Sequence, residues 1–219
     1  MKAFVFDAYG TLFDVHAAIN RHRTAVGLDA DRFSELWRNK QLEYSWTLTL
    51  MDRYESFWTL TERALDFAFA RFPNVDRSLR GVLLEAYHTL DAYPDGRPAL
   101  AKLKASGIAT AILSNGSAGM LDAAVKGAKL DDVLDHVLSV DRVRTFKPPI
   151  EVYDLAIDAL GLRPSEIAFV SSNRWDIAGA ANARLTPIWV NRARNPDEYP
   201  GLAPVAVIQS LAELATLSL

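Results

Sequence analysis

Four short polar clusters in the chain each follow or flank an apolar run and carry groups that can do chemistry. They read DAYGT, SNGS, FKPP and SSNRWD, at residues 7–11, 114–117, 146–149 and 171–176. In proteins that alternate strands and helices, ligands bind in the crevice outside the carboxyl ends of parallel strands. We therefore expect the four clusters to lie around one crevice and to form its reactive surface.

Asp7 is the strongest single candidate for direct chemistry. An aspartate after a strand often satisfies a turn, and its position alone leaves that alternative open. The chemical alternative is a carboxylate nucleophile or a metal ligand. Lys147 and Asp176, each taken alone, are typical of a solvated lysine and a helix cap. Beside two carboxylates, however, a lysine is a charge partner that holds Asp7 ionised.

The other candidates also have an ordinary structural explanation. Ser114 to Ser117 are typical of a helix N-cap, although a helix N-terminus also binds carboxylates and phosphates. Arg38, in WRNKQLEYSW, would by default be a solvated helix arginine, but its apolar neighbours favour a half-buried position. Four residues fit either core packing or the walls of an apolar pocket, namely Tyr9, Leu42, Phe57 and Trp175.

The elements that must position these residues follow from the hydrophobic pattern. Short β-rich apolar runs predict strands at 3–6, 108–114, 136–139, 167–171, 187–190 and 205–208. Helical periodicity predicts helices at 97–106, 117–129, 149–160, 175–183 and 210–217. This alternation is typical of an α/β fold, so we expect a Rossmann-like parallel sheet core of about six strands with helices on both faces.

Residues 15–90 break the alternation, because they show helical periodicity and no convincing strand. Turn-forming segments interrupt them at 27–31 and 71–76. We predict an inserted helical cap subdomain at 15–90 and an α/β core made of 1–14 and 91–219. A cleft between two such layers is a common ligand site.

Composition limits the classes of function. The chain has 219 residues, a formal net charge of −3 and no cysteine. It has no basic stripe for nucleic acid, no thiolate site, and neither a signal-peptide pattern nor an apolar run long enough for a membrane. We expect a soluble, cytoplasmic protein that binds neither nucleic acid nor membranes.

Five segments together resemble the L-2-haloacid dehalogenases of the haloacid dehalogenase superfamily. They are FDAYGTLFDV, WRNKQLEYSW, ILSNGS, FKPPIEVY and VSSNRWDIAGA, and they span nearly the whole chain in the expected order. The first segment alone indicates only the superfamily, whereas the set is specific to the dehalogenase branch. The lysine segment reads KPPIE where the family pattern is K-P-x-P, which leaves the placement of Lys147 open.

The resemblance implies a role for each matching position in catalysis. Asp7 resembles the nucleophile. The groups that orient and stabilise it are matched by Thr11, Lys147 and Ser171. The groups that place the hydrolytic water are matched by Asn173 and Asp176. A tyrosine that supports the site near the lysine is matched by Tyr153.

The resemblance also implies how a substrate is held. The seat of the substrate carboxylate is matched by Ser114 and Asn115, together with backbone amides after Asp7. The halide cradle is matched by Arg38, Asn115 and Phe57. The walls around the alkyl part are matched by Tyr9, Leu42 and Trp175. The resemblance further implies a homodimer.

The acidic residues themselves favour halide displacement over phosphoryl transfer. A phosphatase of this architecture has a second aspartate two positions after the first, which protonates the leaving alkoxide, and Mg²⁺ needs several oxygen ligands. Here that position is Tyr9, and Asp176 has no companion acid. A halide is a very weak base and leaves without a proton, helped by donors and a cation such as Arg38 and Asn115.

We therefore predict hydrolysis of short-chain L-2-haloalkanoates to D-2-hydroxy acids, with inversion, through an ester on Asp7. No metal and no cofactor is expected, and the ligands are the haloacid and the released halide. Three other classes of function are less consistent with these residues. They are a Mg²⁺-dependent phosphatase of the same superfamily, a non-catalytic binding module, and an unrelated flavodoxin-like carrier. Tyr9 opposes the first, the intact Asp7 opposes the second, and the helical insert opposes the third.

Overall fold

A wholly parallel sheet lies at the centre of the computed structural model, which describes residues 1–217. Within that range six strands form the sheet, in the order β3-β2-β1-β4-β5-β6. The strands are β1 (Ala3–Phe6), β2 (Ala109–Ser114), β3 (His136–Ser139), β4 (Ile167–Ser171), β5 (Thr186–Val190) and β6 (Ala206–Ile208). The predicted α/β class and strand positions are confirmed, with shifts of one residue at the starts of β2, β5 and β6.

The two central strands carry the site because of how the sheet is built. Every residue of β1 and of β4 is buried, as expected for strands covered on both faces. β1 pairs with β2 on one side and with β4 on the other, so that Phe6 lies opposite both Ile112 and Val170. The strands β2 and β3 extend the sheet on the β1 side, whereas β5 and β6 extend it on the β4 side. The carboxyl ends of β1 and β4 therefore flank the crevice where such sheets bind ligands.

Helices cover the sheet and fill the segment between β1 and β2. That segment holds α1 (Ala17–Arg21), α2 (Arg23–Val26), α3 (Ala30–Leu50), α4 (Phe57–Arg71) and α5 (Arg80–His88). The other helices are α6 (Gly96–Ala105), α7 (Ala118–Gly127), α8 (Ile150–Leu160) and α9 (Arg174–Asn182). No helix within residues 1–217 is both long and apolar enough to cross a membrane.

The helix predicted at 210–217 is a 3₁₀ helix, Leu211–Thr216. It begins with a capping box, in which Ser210 accepts a hydrogen bond from the Ala212 amide and Glu213 accepts one from the Ser210 amide. The chain becomes extended at Leu217, where this helix ends. The predicted core continued to 219, and its last two residues lie outside the described ones.

The helices of the inserted segment pack on one another through α3 and α4. The rings of Phe33 and Phe69 meet edge to face at 5.1 Å, and the Trp37 indole donates to the Thr61 carbonyl oxygen at 2.9 Å. The inserted segment begins and ends at neighbouring points, because the Asp14 amide donates to the Asp91 carbonyl oxygen at 2.9 Å. This contact between the two connections supports our proposal of a core of 1–14 and 91–219 and a cap of 15–90.

The small residues of α9 let this helix lie directly on α8. A Cβ added at Gly179 would stand 2.3 Å from the Tyr153 hydroxyl and 2.7 Å from Pro148 Cβ. Both distances are shorter than van der Waals contact, so any side chain at this position must displace Tyr153 or the helix.

We expect Gly179→Ala to destabilise the protein by about 1–3 kcal/mol through overpacking. The measurement is urea unfolding at equilibrium. The matched control is Gly119→Ala in α7, where an added Cβ meets nothing within 4 Å. That exposed helical position should instead gain about 0.5–1 kcal/mol from helix propensity. Equal effects at both positions would contradict the close packing of α9 on Tyr153.

Candidate active site

The Asp7 carboxylate lies at the carboxyl end of β1 and is almost fully buried, with 5% of the residue exposed. Thr11 Oγ1 donates to its Oδ2 at 3.0 Å, and Asn173 Nδ2 donates to the same oxygen at 2.9 Å. Lys147 Nζ donates to Oδ1 at 3.2 Å. Three hydrogen-bond donors therefore fix the direction of this buried carboxylate.

Lys147 bridges the two acids of the site. Its ammonium lies 3.2 Å from Asp7 Oδ1 and 2.8 Å from Asp176 Oδ2, and all three side chains are buried. A buried charge is tolerated when it is paired in this way. The KPPIE segment therefore does not displace the lysine from the site. Its backbone is held as well, because the Lys147 amide donates to Asn115 Oδ1 at 2.9 Å.

Tyr153 supports the second acid from α8. Its hydroxyl donates to Asp176 Oδ1 at 2.7 Å. Burial, reinforced by the charges of Asp176 and Asp7, raises the pKa of Tyr153 well above its usual value, so the hydroxyl stays a donor. Burial also raises the pKa of Asp176 to about 6, while Lys147 and the Tyr153 hydrogen bond oppose that rise. Asp176 is thus an acid that changes charge close to neutral pH.

A narrow pocket with a cavity volume of ≈ 10 Å³ lies in front of Asp7. It is lined by all the residues predicted to hold a substrate, together with Asp7 and Asn173, namely Tyr9, Arg38, Leu42, Phe57, Ser114, Asn115 and Trp175. The structure thus brings residues from α3, α4 and the ends of three strands to one place. The pocket has apolar walls and a few converging polar groups, as small-molecule sites do.

Arg38 reaches this pocket from α3 and is half-buried, as its apolar neighbours predicted. Its Nη2 lies 3.4 Å from the Tyr9 carbonyl oxygen. The Tyr9 ring stacks on Tyr87 with centroids 5.9 Å apart, and burial raises its pKa. Tyr9 is therefore a neutral wall of the pocket, and Arg38 is the one cation among the described residues that line it.

The hydroxyls of Ser171 and Ser114 have local partners in this structure. Ser171 Oγ accepts a hydrogen bond from the Asn173 amide at 3.1 Å, so its contact orders the Asn173 turn rather than the Asp7 carboxylate. Ser114 Oγ accepts one from the Gly116 amide at 3.0 Å. The predicted hydrogen bond from Ser114 to a substrate carboxylate therefore competes with this bond within the turn. The roles predicted for both serines stay predictions.

Ser172 is a residue of the site that sequence reasoning missed. Its amide donates to Thr11 Oγ1 at 2.9 Å, and its hydroxyl donates to the Gly10 carbonyl at 2.6 Å. These bonds hold the turn after Asp7, where Gly10 has a φ of 97° and a Cβ would lie 3.3 Å from the Ser172 hydroxyl. The available signal was the doubled serine of SSN, but the pattern does not show which serine faces the nucleophile.

The carboxylate oxygens of this site suit the Lys147 ammonium better than a divalent metal ion. Within residues 1–217, no three His, Asp or Glu side chains come close enough together to hold a metal ion. The two carboxylates of the site, Asp7 and Asp176, share the Lys147 ammonium between them. Mg²⁺ requires octahedral coordination by oxygen ligands. Two carboxylates that are already paired with an ammonium group do not fit that requirement.

The chain closely resembles proteins of known function. A family model described as haloacid dehalogenase-like hydrolase matches residues 1–184. (S)-2-haloacid dehalogenase 1 of Pseudomonas sp. (strain CBS-3) is 48% identical over 220 residues, covering 100% of this chain and 97% of that protein. A crystal structure of a dehalogenase, 47% identical, superposes with a TM-score of 0.97 and covers 100% of this chain and 97% of the other.

A third comparison concerns a bound state. The structure of L-2-haloacid dehalogenase from Xanthobacter autotrophicus with chloropropionic acid covalently bound is 36% identical, with a TM-score of 0.89, and covers 99% of this chain and 98% of that one. The resemblance inferred from the five sequence segments is confirmed by these matches. The chain belongs to the haloacid dehalogenase-like hydrolases and, within them, to the family of (S)-2-haloacid dehalogenases.

Proposed function

We propose that this protein hydrolyses short-chain L-2-haloalkanoates to D-2-hydroxy acids, with inversion, through an ester on Asp7 and without a metal or cofactor. The observation that carries the proposal is the Asp7 carboxylate itself. It is buried, it is paired with Lys147, and it lines the same pocket as Arg38. The covalently bound chloropropionic acid of the Xanthobacter autotrophicus relative supports a covalent route.

In the first step an Asp7 oxygen attacks C2 of the substrate from the side opposite the halogen. The C–O bond forms as the carbon–halogen bond breaks, and the halogen leaves as halide with the bonding electron pair. Arg38 and Asn115 provide the cation and the hydrogen-bond donor that stabilise the developing charge. The buried, enclosed pocket holds the reacting atoms close together, and one displacement at C2 inverts its configuration.

In the second step water attacks the carbonyl carbon of the Asp7 ester. Asn173 and Asp176 position this water, and Asp176 accepts its proton, as its pKa of about 6 allows near neutral pH. Cleavage of the acyl C–O bond frees the hydroxy acid, because the second proton of the water passes to the leaving alkoxide oxygen, and it restores the Asp7 carboxylate. The net reaction consumes one water and releases one halide and one proton. Lys147 pairs with Asp7 Oδ1 at 3.2 Å and holds the regenerated carboxylate in place for the next turnover.

The test is halide release from each enantiomer of 2-chloropropionate, with EDTA present. We expect release from the L enantiomer only, unaffected by EDTA, with D-lactate as the product. Release from both enantiomers, or retention of configuration, would contradict the single in-line displacement. Mg²⁺-dependent phosphate release from a phosphomonoester, without halide release, would support the phosphatase alternative instead.

The pH dependence of this reaction gives a prediction for Tyr153. Asp176 must be ionised to take a proton from water, so halide release should fall as the pH drops through about 6. Tyr153→Phe removes a hydrogen bond that stabilises the carboxylate and should move this midpoint upward. The measurement is the pH profile of kcat, with Tyr44→Phe on α3 as the matched control. A midpoint that stays in place, or moves down, would exclude Asp176 as the group that titrates.

We also propose, from the family resemblance, that the protein is a homodimer in solution. Two large apolar side chains at the end of α3 are exposed, with Leu50 at 87% and Met51 at 59%, and exposed apolar patches often mark protein contacts. Sedimentation equilibrium measures this directly.

A further inference from the structure

Arg192 is a cation near the carboxyl end of β5 that the proposed reaction does not use. Its guanidinium donates to both carboxylate oxygens of Asp95, from Nη1 at 2.7 Å and from Nη2 at 3.0 Å. Only 23% of the Arg192 side chain and 14% of the Asp95 side chain are exposed. Exposed ion pairs contribute little, but this pair is forked and mostly removed from water, so its direction is well defined.

The same guanidinium reaches the turn that follows the proposed nucleophile. Its Nη2 also donates to the carbonyl oxygen of Thr11 at 3.2 Å. The hydroxyl of Thr11 donates to Asp7 Oδ2 at 3.0 Å and accepts a hydrogen bond from the Ser172 amide at 2.9 Å. Thr11 is therefore held at its side chain and at its backbone, and it connects Arg192 to the Asp7 carboxylate.

The end of β5 supports the second turn of the site as well. The indole of Trp189 donates from Nε1 to the carbonyl oxygen of Ser172 at 3.2 Å. Because Ser172 is itself bonded to Thr11, residues 189–192 hold both of the turns that place donors on Asp7. Without these contacts the Thr11 peptide could rotate, and its hydroxyl would move away from Asp7 Oδ2.

Asp95 fixes Arg192, because the Asp95 carboxylate is bound from other directions too. It accepts hydrogen bonds from the Ser210 hydroxyl at 2.8 Å and from the Leu211 amide at 2.9 Å. These bonds connect the start of α6, which Asp95 precedes, to the start of the C-terminal 3₁₀ helix. The guanidinium carbon of Arg192 also lies 4.1 Å from the centroid of the Tyr93 ring. Arg192 is thus held in the direction of Thr11.

We propose that Arg192 is a positioning residue for the proposed dehalogenation, which acts through Thr11 to hold the Asp7 carboxylate in its direction of attack. The proposal deepens the proposed function and rests on it. The pocket lining described for residues 1–217 includes neither Arg192 nor Thr11. Loss of Arg192 should therefore slow the attack on C2 and leave substrate binding nearly unchanged. A misplacement of the reacting atoms by about 1 Å can cost about 10²-fold in rate.

The test is Arg192→Gln, with the halide of the first turnover measured by rapid quench at several concentrations of L-2-chloropropionate. We expect the maximum rate to fall by about 10- to 100-fold. The concentration that gives half of this rate should change by less than about twofold, as expected when ground-state binding is intact.

The matched control is Arg97→Gln in α6. Arg97 likewise forks onto a carboxylate, that of Asp132, and donates to a backbone carbonyl oxygen, that of Lys129. These partners do not belong to the turns around Asp7. The first-turnover rate of this variant should therefore stay at the wild-type value.

A second measurement distinguishes positioning from a purely structural role. Thr11→Val removes the hydroxyl through which Arg192 is proposed to act, while the side chain keeps nearly the same shape. The effects of independent substitutions multiply. We expect Arg192→Gln to slow the Thr11→Val protein by less than about twofold, because the bond that Arg192 positions is already absent.

Arg192→Lys keeps the test valid if Arg192→Gln does not fold. It retains the positive charge opposite Asp95 but replaces the planar fork with a single ammonium. It should unfold in urea near the wild-type midpoint, and its first-turnover rate should still fall, except in the Thr11→Val background. An unchanged rate in a folded Arg192 variant, or a multiplicative loss with Thr11→Val, would overturn the positioning role alone. Absence of halide release from the wild-type protein would remove the proposed function and the positioning role with it.

Discussion

Asp7→Asn should reduce halide release by about 10⁴-fold or more while the protein stays folded, since loss of a nucleophile removes most of an enzyme's rate enhancement. The amide has nearly the shape of the carboxylate and keeps an oxygen that accepts from Thr11. It is neutral and far less nucleophilic, so it does not form the ester. Lys147 retains its second partner, Asp176, at 2.8 Å, which limits the loss of stability.

The matched control for this variant is Asp14→Asn. Asp14 follows the same loop after β1, but its carboxylate accepts from the His16 amide, outside the pocket. Initial rates with L-2-chloropropionate and thermal unfolding of both variants are the measurements. If Asp7→Asn released halide at a rate close to that of Asp14→Asn, water would have to attack the substrate directly, and the ester mechanism would be wrong.

Lys147→Met should affect both activity and stability. It leaves Asp7 and Asp176 buried next to each other with no cation between them. Breaking a buried pair by removing one partner typically costs about 3–5 kcal/mol. Halide release should fall sharply too, because the ammonium that holds the Asp7 carboxylate in its attacking direction, at 3.2 Å, is lost.

The stability loss in Lys147→Met should depend on pH in a defined direction. Burial raises the pKa of Asp176 in the folded state, and the variant lacks the Lys147 ammonium that opposes this rise, so the folded variant binds a proton at Asp176 more tightly than the unfolded chain does. The deficit should be largest at neutral pH and should shrink as the pH falls below the raised pKa of Asp176. Urea unfolding across pH measures this. Lys126→Met, which breaks an exposed pair with Asp122, should cost less than about 1 kcal/mol at any of these pH values. A deficit that grows on acidification would contradict the account.

The sequence was sufficient to predict the parts of the site that follow from strand ends. Asp7 comes directly after β1 and the SSN turn directly after β4, and these strands are neighbours in the sheet. The half-buried position of Arg38 was also predictable, because Trp37 and Leu42 place it on the apolar edge of α3. In both cases a local pattern determines the environment of the side chain.

Interactions between distant segments of the chain left no such pattern. Arg192 pairs with Asp95 at 2.7 Å, and its Nη2 donates to the Thr11 carbonyl at 3.2 Å, although these residues are far apart in sequence. The choice between Ser171 and Ser172 is a similar case. Side-chain direction in irregular segments depends on tertiary packing, which has no periodic signal in sequence.

The central claim is that the oxygen of the product comes from Asp7, and a single-turnover reaction in H₂¹⁸O tests it most directly. With the protein in excess over L-2-chloropropionate, each molecule reacts at most once. We predict that the released lactate carries ¹⁶O at C2, whereas the peptide containing Asp7 gains one ¹⁸O, as mass spectrometry will show. Incorporation of ¹⁸O directly into the first lactate formed, with an unlabelled Asp7 peptide, would contradict the aspartyl ester.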